Sequence, residues 1–99
     1  MLYSVEELRH IVSPIAKQYG VKSVAVFGSY SRGQASETSD MDLKIEKGTV
    51  KTLYQLSSFR LALEDALGVS VDLVTSESSD TAFLDMIAKD EVLLYQSLE

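Results

Sequence analysis

Val5, Leu8, Val12, Ile15 and Tyr19 recur at spacings of three and four, which stacks them on one side of a helix. Ser4 with Glu7 three residues on forms a capping-box pattern at its start, and Gly20 supplies the stop. Pro14 falls inside this stretch; lacking an N–H and crowding the carbonyl of His10, it predicts a kink or a restart with Ser13 as cap. The run from Val21 to Phe27 is β-branched and apolar, bounded by Gly20 and Gly28, and reads as a buried strand. In "DMDLKIEKG" the pattern switches to strict alternation: Met41, Leu43 and Ile45 face one way, and Asp40, Asp42, Lys44 and Glu46 the other. This second strand ends at Gly48.

Helical periodicity returns with Leu53, Leu56, Phe59, Leu63, Ala66 and Leu67, predicting a helix from about Thr52 to Leu67 that Gly68 closes. "VSVDLVT" is a third strand, "SESSD" a polar turn rich in capping residues, and Phe83, Met86 and Ile87 mark a short helix over Asp80 to Lys89. "EVLLYQ" closes the chain as an edge strand. The order α-β-β-α-β-α-β lacks a regular βαβ repeat. It predicts an α/β (α+β) fold with a mixed sheet of about four strands and helices mainly on one face. Residues 1–99 are expected to form one domain, since the length suits a single core and the sequence contains neither repeats nor a linker.

Between the first two strands, Ser29 to Ser39 is rich in Ser, Gly and Thr and offers no apolar face, so it reads as a surface turn with at most one helical turn. Its chemistry is more specific than its shape. Gly28, at a strand end, lets a backbone approach a ligand closely. Ser29 adds a hydroxyl and an N–H where donors point outward toward an anion. Arg32 offers a planar fork for phosphate oxygens, Gly33 lets the loop turn back, and Ser39 is grouped with them as a nucleotide contact. Asp40 and Asp42 follow, two apart on a strand and so on one face. An isolated D-x-D among seven aspartates is as readily the polar face of a half-exposed strand. Asp72, set between Val71 and Leu73, must be paired, solvated or functional. It could lie merely on the wet side of an edge strand; beside Asp40 and Asp42 it would complete an all-oxygen site for magnesium or manganese.

The run "FGSYSRGQASETSDMDL" resembles the signature of the DNA polymerase β nucleotidyltransferase superfamily: Gly-Ser, ten intervening residues, then Asp-x-Asp. Tyr30, Arg32 and Gly33, with the short length, are similar to its minimal nucleotidyltransferase (MNT) branch, and Ser31 departs mildly from the small apolar residue common there. The resemblance implies a mixed sheet, with two Mg2+ ions (or Mn2+) held by Asp40, Asp42 and Asp72. It places ATP phosphates on Gly28 and Ser29, and AMP transfer to a hydroxyl of a partner protein. That partner would be a helical HEPN-type toxin, with this chain as its antitoxin. Two other functions stay open: a non-catalytic binding antitoxin, or transfer to a small molecule such as an aminoglycoside, with a dimer building the pocket.

Charge and composition narrow the partners. Nine Lys plus Arg against fifteen Asp plus Glu give a net charge of -6, which disfavours nucleic acid because that binding is driven by phosphate neutralisation. A nucleotide arriving with its own cation is not disfavoured in this way. The absence of cysteine fits a reducing compartment, and no apolar run approaches a membrane span, so a cytoplasmic protein is expected. His10 is expected at the surface, Lys44 on a solvated face, and Tyr3, Tyr19, Tyr54 and Tyr95 in helix or strand packing with hydroxyls reaching water.

Overall fold

A computed structural model of the chain describes residues 3–28, 40–76 and 80–98. The elements follow in the order α1 (Val5–Tyr19), β1 (Ser23–Phe27), β2 (Met41–Glu46), α2 (Leu53–Leu67), β3 (Val71–Thr75), α3 (Thr81–Ala88) and β4 (Val92–Gln96). The sheet order is β3-β2-β1-β4. β1 runs antiparallel to β2 and β4, while β2 and β3 run parallel, which makes the sheet mixed.

Side-chain alternation divides the sheet into two unlike faces. Met41, Leu43 and Ile45 are fully buried with Val24, Val26, Val71 and Leu94, and α1 and α2 cover them through Leu8, Val12, Ala16, Phe59, Leu63 and Leu67. Phe59 lies at the centre of this core, with no exposed surface and its ring 5.7 Å from that of Tyr19. The other face carries Asp42, Lys44 and Glu46, and α3 packs there. Phe83 meets Phe27 edge-on at 6.1 Å between ring centroids, and Ile87 is buried. Two helices on one face and a shorter one on the other match the expected arrangement, and among the described residues no helix besides α3 packs on the second face.

Local signals set the helix ends. Ser4 Oγ accepts from the Glu7 N–H at 3.1 Å and the Glu7 carboxylate accepts from the Ser4 N–H at 3.0 Å. Those bonds hold the Glu7 carboxyl below the ordinary value, the backbone N–H of Ser4 being the larger cause. The depressed value makes this a contribution to stability present above the unfolded-state pKa and lost as pH falls through the folded-state one. Thr52 and Gln55 repeat the capping box at α2, and Gly20 and Gly68 end the two long helices in the left-handed region.

The predicted restart at Pro14 does not occur, because α1 is one helix from Val5 to Tyr19. Val12 and Ala16, on either side of Pro14, are both completely buried, so packing holds both turns against the sheet. Ser13 is not a cap; its hydroxyl donates to the Leu94 carbonyl at 3.3 Å. Tyr3 also differs from expectation: its hydroxyl donates to the Leu67 carbonyl at 2.6 Å, tying the start of α1 to the end of α2. Tyr54, 82% exposed, packs against nothing substantial. Among the described residues no helix is long and apolar enough to cross a membrane.

Phe59→Ala should lower unfolding free energy by about 3–5 kcal/mol through the cavity it leaves. Leu61→Ala, on an exposed position of the same helix, should stay within about 0.5 kcal/mol. Urea unfolding of the two variants checks the contrast.

Candidate active site

Phe27 pairs with Asp42 across the antiparallel β1–β2 ladder, and Asp42 pairs with Asp72 across the parallel β2–β3 ladder. Residues paired in this way project from the same face, and neighbouring strands lie about 4.8 Å apart. The ladder therefore brings Asp42 and Asp72 side by side on the face that α3 leaves open. Asp40 directly precedes β2, two residues before Asp42, and is exposed, as is Asp72. Asp72 does lie on an edge strand with a solvated side chain, and it also stands next to Asp42.

Three contacts fix this arrangement. The Met41 N–H donates to the Ser70 carbonyl at 2.9 Å, setting the parallel register where both acid strands begin. The Val71 N–H donates to Glu64 Oε2 at 2.8 Å, so α2 holds the start of β3. Arg60 in turn approaches Glu64 at 3.3 Å. Sequence reasoning passed over Glu64 and Arg60; their i, i+4 spacing on α2 is visible in the chain, but the contact with β3 is not.

Gly28 follows β1 with a φ of +75°, in the region that favours glycine. A Cβ placed on it would stand 2.6 Å from Asp42 Oδ2. The glycine thus serves the turn and a close approach of the backbone to the Asp42 carboxylate, where the sequence suggested an approach to a ligand. Ser29, Arg32, Gly33 and Ser39, together with Tyr30 and Ser31, lie outside the described residues.

The available donors are carboxylate oxygens, the ligand chemistry of magnesium and manganese. Among the described residues no three acidic or histidine side chains are gathered closely enough to hold a metal ion as they stand. What the backbone supplies is a pair in register with a third acid two residues away, and Asp40 and Asp72, both exposed, can turn toward Asp42 by side-chain rotation alone. The donor set and the glycine cradle beside Asp42 fit a divalent cation.

A hollow of about 320 Å³ borders Asp72, lined also by Leu56, Ser57, Arg60, Val71 and Leu73. The larger one, about 780 Å³, includes Lys17, Lys22, Gly48 and Tyr95 at the other end of the sheet, remote from the acids. Lys44 does not occupy the solvated face expected of it. Its side chain is 22% exposed and its Nζ stands 2.5 Å from Glu91 Oε2, just before β4.

Known proteins are similar to this chain in sequence and in fold. A Methanocaldococcus jannaschii chain named as a candidate protein adenylyltransferase is 36% identical over 89 residues, covering 90% of this chain and 96% of that one. The protein adenylyltransferase MntA of Thermococcus cleftensis is 30% identical over 95 residues, covering 92% and 96%. In fold, the chain is similar to a solved complex of a tri-AMPylated Shewanella oneidensis HEPN toxin with its MNT antitoxin, at a TM-score of 0.71 and 18% identity, covering 95% of this chain and 74% of that one. The family model described as polymerase beta, nucleotidyltransferase matches residues 10–99, a span that holds the Gly28 turn and all three acids, and the chain belongs to that family.

Proposed function

We propose that this chain is a metal-dependent protein adenylyltransferase that moves AMP from ATP to a hydroxyl of a partner protein. The observation that carries the reading is the pairing of Asp42 with Asp72 under a glycine turn whose missing side chain leaves room for the Asp42 carboxylate. The relatives named as protein adenylyltransferases support the chemistry. The AMPylated HEPN toxin bound to its MNT antitoxin supports the class of partner and a role as antitoxin.

In this reading Asp40, Asp42 and Asp72 hold two Mg2+ ions, with Mn2+ able to replace them. Bound there, the cations would offset triphosphate charge and make an acceptor hydroxyl more acidic. Asp72, exposed on the edge strand β3, would accept the hydroxyl proton as the acceptor attacks. Gly28, Ser29, Arg32, Gly33 and Ser39 hold the phosphates so that pyrophosphate leaves in line as the acceptor oxygen attacks the α-phosphorus. One P–O bond forms and one breaks, and the acceptor gains AMP. The 99 residues act as a single minimal transferase domain in the cytoplasm, where ATP is available. The net charge of -6 suits a basic partner protein and opposes nucleic acid.

Asp42→Asn should reduce AMP transfer by at least about 100-fold, the upper range for losing even an outer-shell partner of a metal site. The measure is label from ATP on the co-expressed partner protein; undiminished transfer would remove the metal reading. The melting temperature of the wild type should rise with Mg2+ plus ATP, and that rise should vanish in Asp40→Asn/Asp42→Asn. Gly28→Ala should weaken ATP binding by about tenfold or more while also lowering stability by about 1–2 kcal/mol, since the new methyl meets both a left-handed backbone and Asp42 Oδ2. Calorimetric titration with a non-hydrolysable ATP analogue, alongside urea unfolding, checks both parts.

A further inference from the structure

Lys44 sits on β2 two residues beyond Asp42, on the same face. It pairs with Ala25 on β1 and with Val74 on β3. Glu91 directly precedes β4, whose first residue Val92 pairs with Val26, one residue short of the Phe27 that faces Asp42. To reach Glu91, the Lys44 side chain must lean across β1 toward the level of the acids. Lys44 and Asp42 stand about 7 Å apart along the strand at the backbone, and the ammonium is drawn from β2 across β1 to Glu91 just before β4.

Both members of the pair are largely withdrawn from water, at 22% and 25% side-chain exposure. Glu91 Oε2 is buried without a hydrogen bond, and the Lys44 ammonium is the charge that compensates it. A cation held this firmly on the face that also carries Asp42 and Asp72 acts on more than its own partner. At such distances, with an effective dielectric between that of protein and water, a unit charge shifts the binding of a divalent ion measurably.

We infer that Lys44 and Glu91 set the metal affinity of the aspartate site, Lys44 as a resident counter-charge that weakens cation uptake and Glu91 as the anchor that tempers it. The inference rests on the proposal that these aspartates bind divalent cations. Its functional consequence is that the free protein takes up a cation poorly and takes it up well only with a triphosphate, so that site assembly is coupled to nucleotide. Lys44 is a positioning residue in this sense, acting through the aspartates.

The test relies on sign. Lys44→Met and Glu91→Gln break the same ion pair, so a purely structural role would move metal affinity the same way in both. The counter-charge role moves it in opposite directions. In the absence of nucleotide, Lys44→Met should bind Mn2+ about threefold to tenfold more tightly, and Glu91→Gln more weakly by a similar factor. Both should melt earlier than wild type, because each leaves a half-buried group without its partner. Lys44→Met/Glu91→Leu removes the pair without changing the net charge; it should refill the space with apolar atoms and return Mn2+ affinity to within about twofold of wild type.

Titration of Mn2+ against each protein, read from the electron paramagnetic resonance signal of the free ion, gives the affinities without any enzyme assay. Opposite shifts with a near-normal double variant support the role. Shifts of the same sign, or none beyond about twofold, overturn it while leaving the metal site intact. Should Lys44→Met fail to fold, Glu91→Gln and the double variant decide, and a Glu91→Gln affinity equal to or tighter than wild type overturns the role. A wild-type chain that binds no Mn2+ removes the metal site itself, and the counter-charge role with it.

Discussion

The parallel pairing of β2 with β3 is the constraint on which the rest of the molecule turns. Its register sets Met41 against Val71 and Leu43 against Leu73 on the core face, and by the same two-residue alternation sets Asp42 against Asp72 on the other. A slip of one residue would carry Asp72 into the core and Val71 or Leu73 out of it. Burial of Met41, Leu43 and Val71, none more than 2% exposed, therefore selects the arrangement of the acids as strictly as it selects the fold. The energy that places the carboxylates is hydrophobic and comes from the opposite side of the sheet.

Placing like charges side by side has a cost in the absence of a cation, and the surrounding structure is built to bear it. β2 is held between two neighbours, so its backbone cannot move to separate the acids. Glu64 fixes the first amide of β3 through a bond of 2.8 Å, which keeps Asp72 in line. Asp40 and Asp72 face water, where screening softens repulsion. Lys44, drawn up by Glu91, supplies positive charge to the same face. Each support lies on a different element, and together they fix the backbone of a site in which Asp40 and Asp72 stand exposed.

The uneven covering of the second face has a functional sense. α3 is eight residues long, and its Phe83 and Ile87 cover the β1 side through Phe27. Beyond it the β2–β3 half lies open, with Asp72 on the edge strand beside a hollow of about 320 Å³. An acceptor that belongs to another protein needs such an approach, because no further element of the described chain covers that side. The β4 edge is closed differently: Arg9 Nε and Ser13 Oγ donate to the carbonyls of Leu93 and Leu94, beside a register shift in the ladder with β1. Side-chain donors on those carbonyls, with the irregular ladder, discourage strand addition there, which leaves the acid side as the accessible end of the sheet.

Local signals in the sequence sufficed for most of the elements. The capping boxes at Ser4 and Thr52, the glycine stops at Gly20 and Gly68, and the alternation from Met41 to Glu46 are short-range patterns that the backbone follows, with boundaries moving by one or two residues at β1, β3 and α3. The acid pair and Gly28 were legible for the same reason, since residue type and spacing within one short run carry their chemistry. The restart expected at Pro14 was a misreading because a missing hydrogen bond is a local cost, whereas the burial of Val12 and Ala16 that keeps α1 continuous is decided by the sheet. Lys44 was misread because its partner, Glu91, is brought to it only by the turn after α3. The chain by itself determined which segments are helix or strand and singled out the residues proposed for a cation and a phosphate. Only the tertiary structure decided that Asp72 stands beside Asp42, that Glu64 holds the start of its strand, and that Lys44 pairs with Glu91, because strand order and register arise from long-range burial that no local spacing encodes.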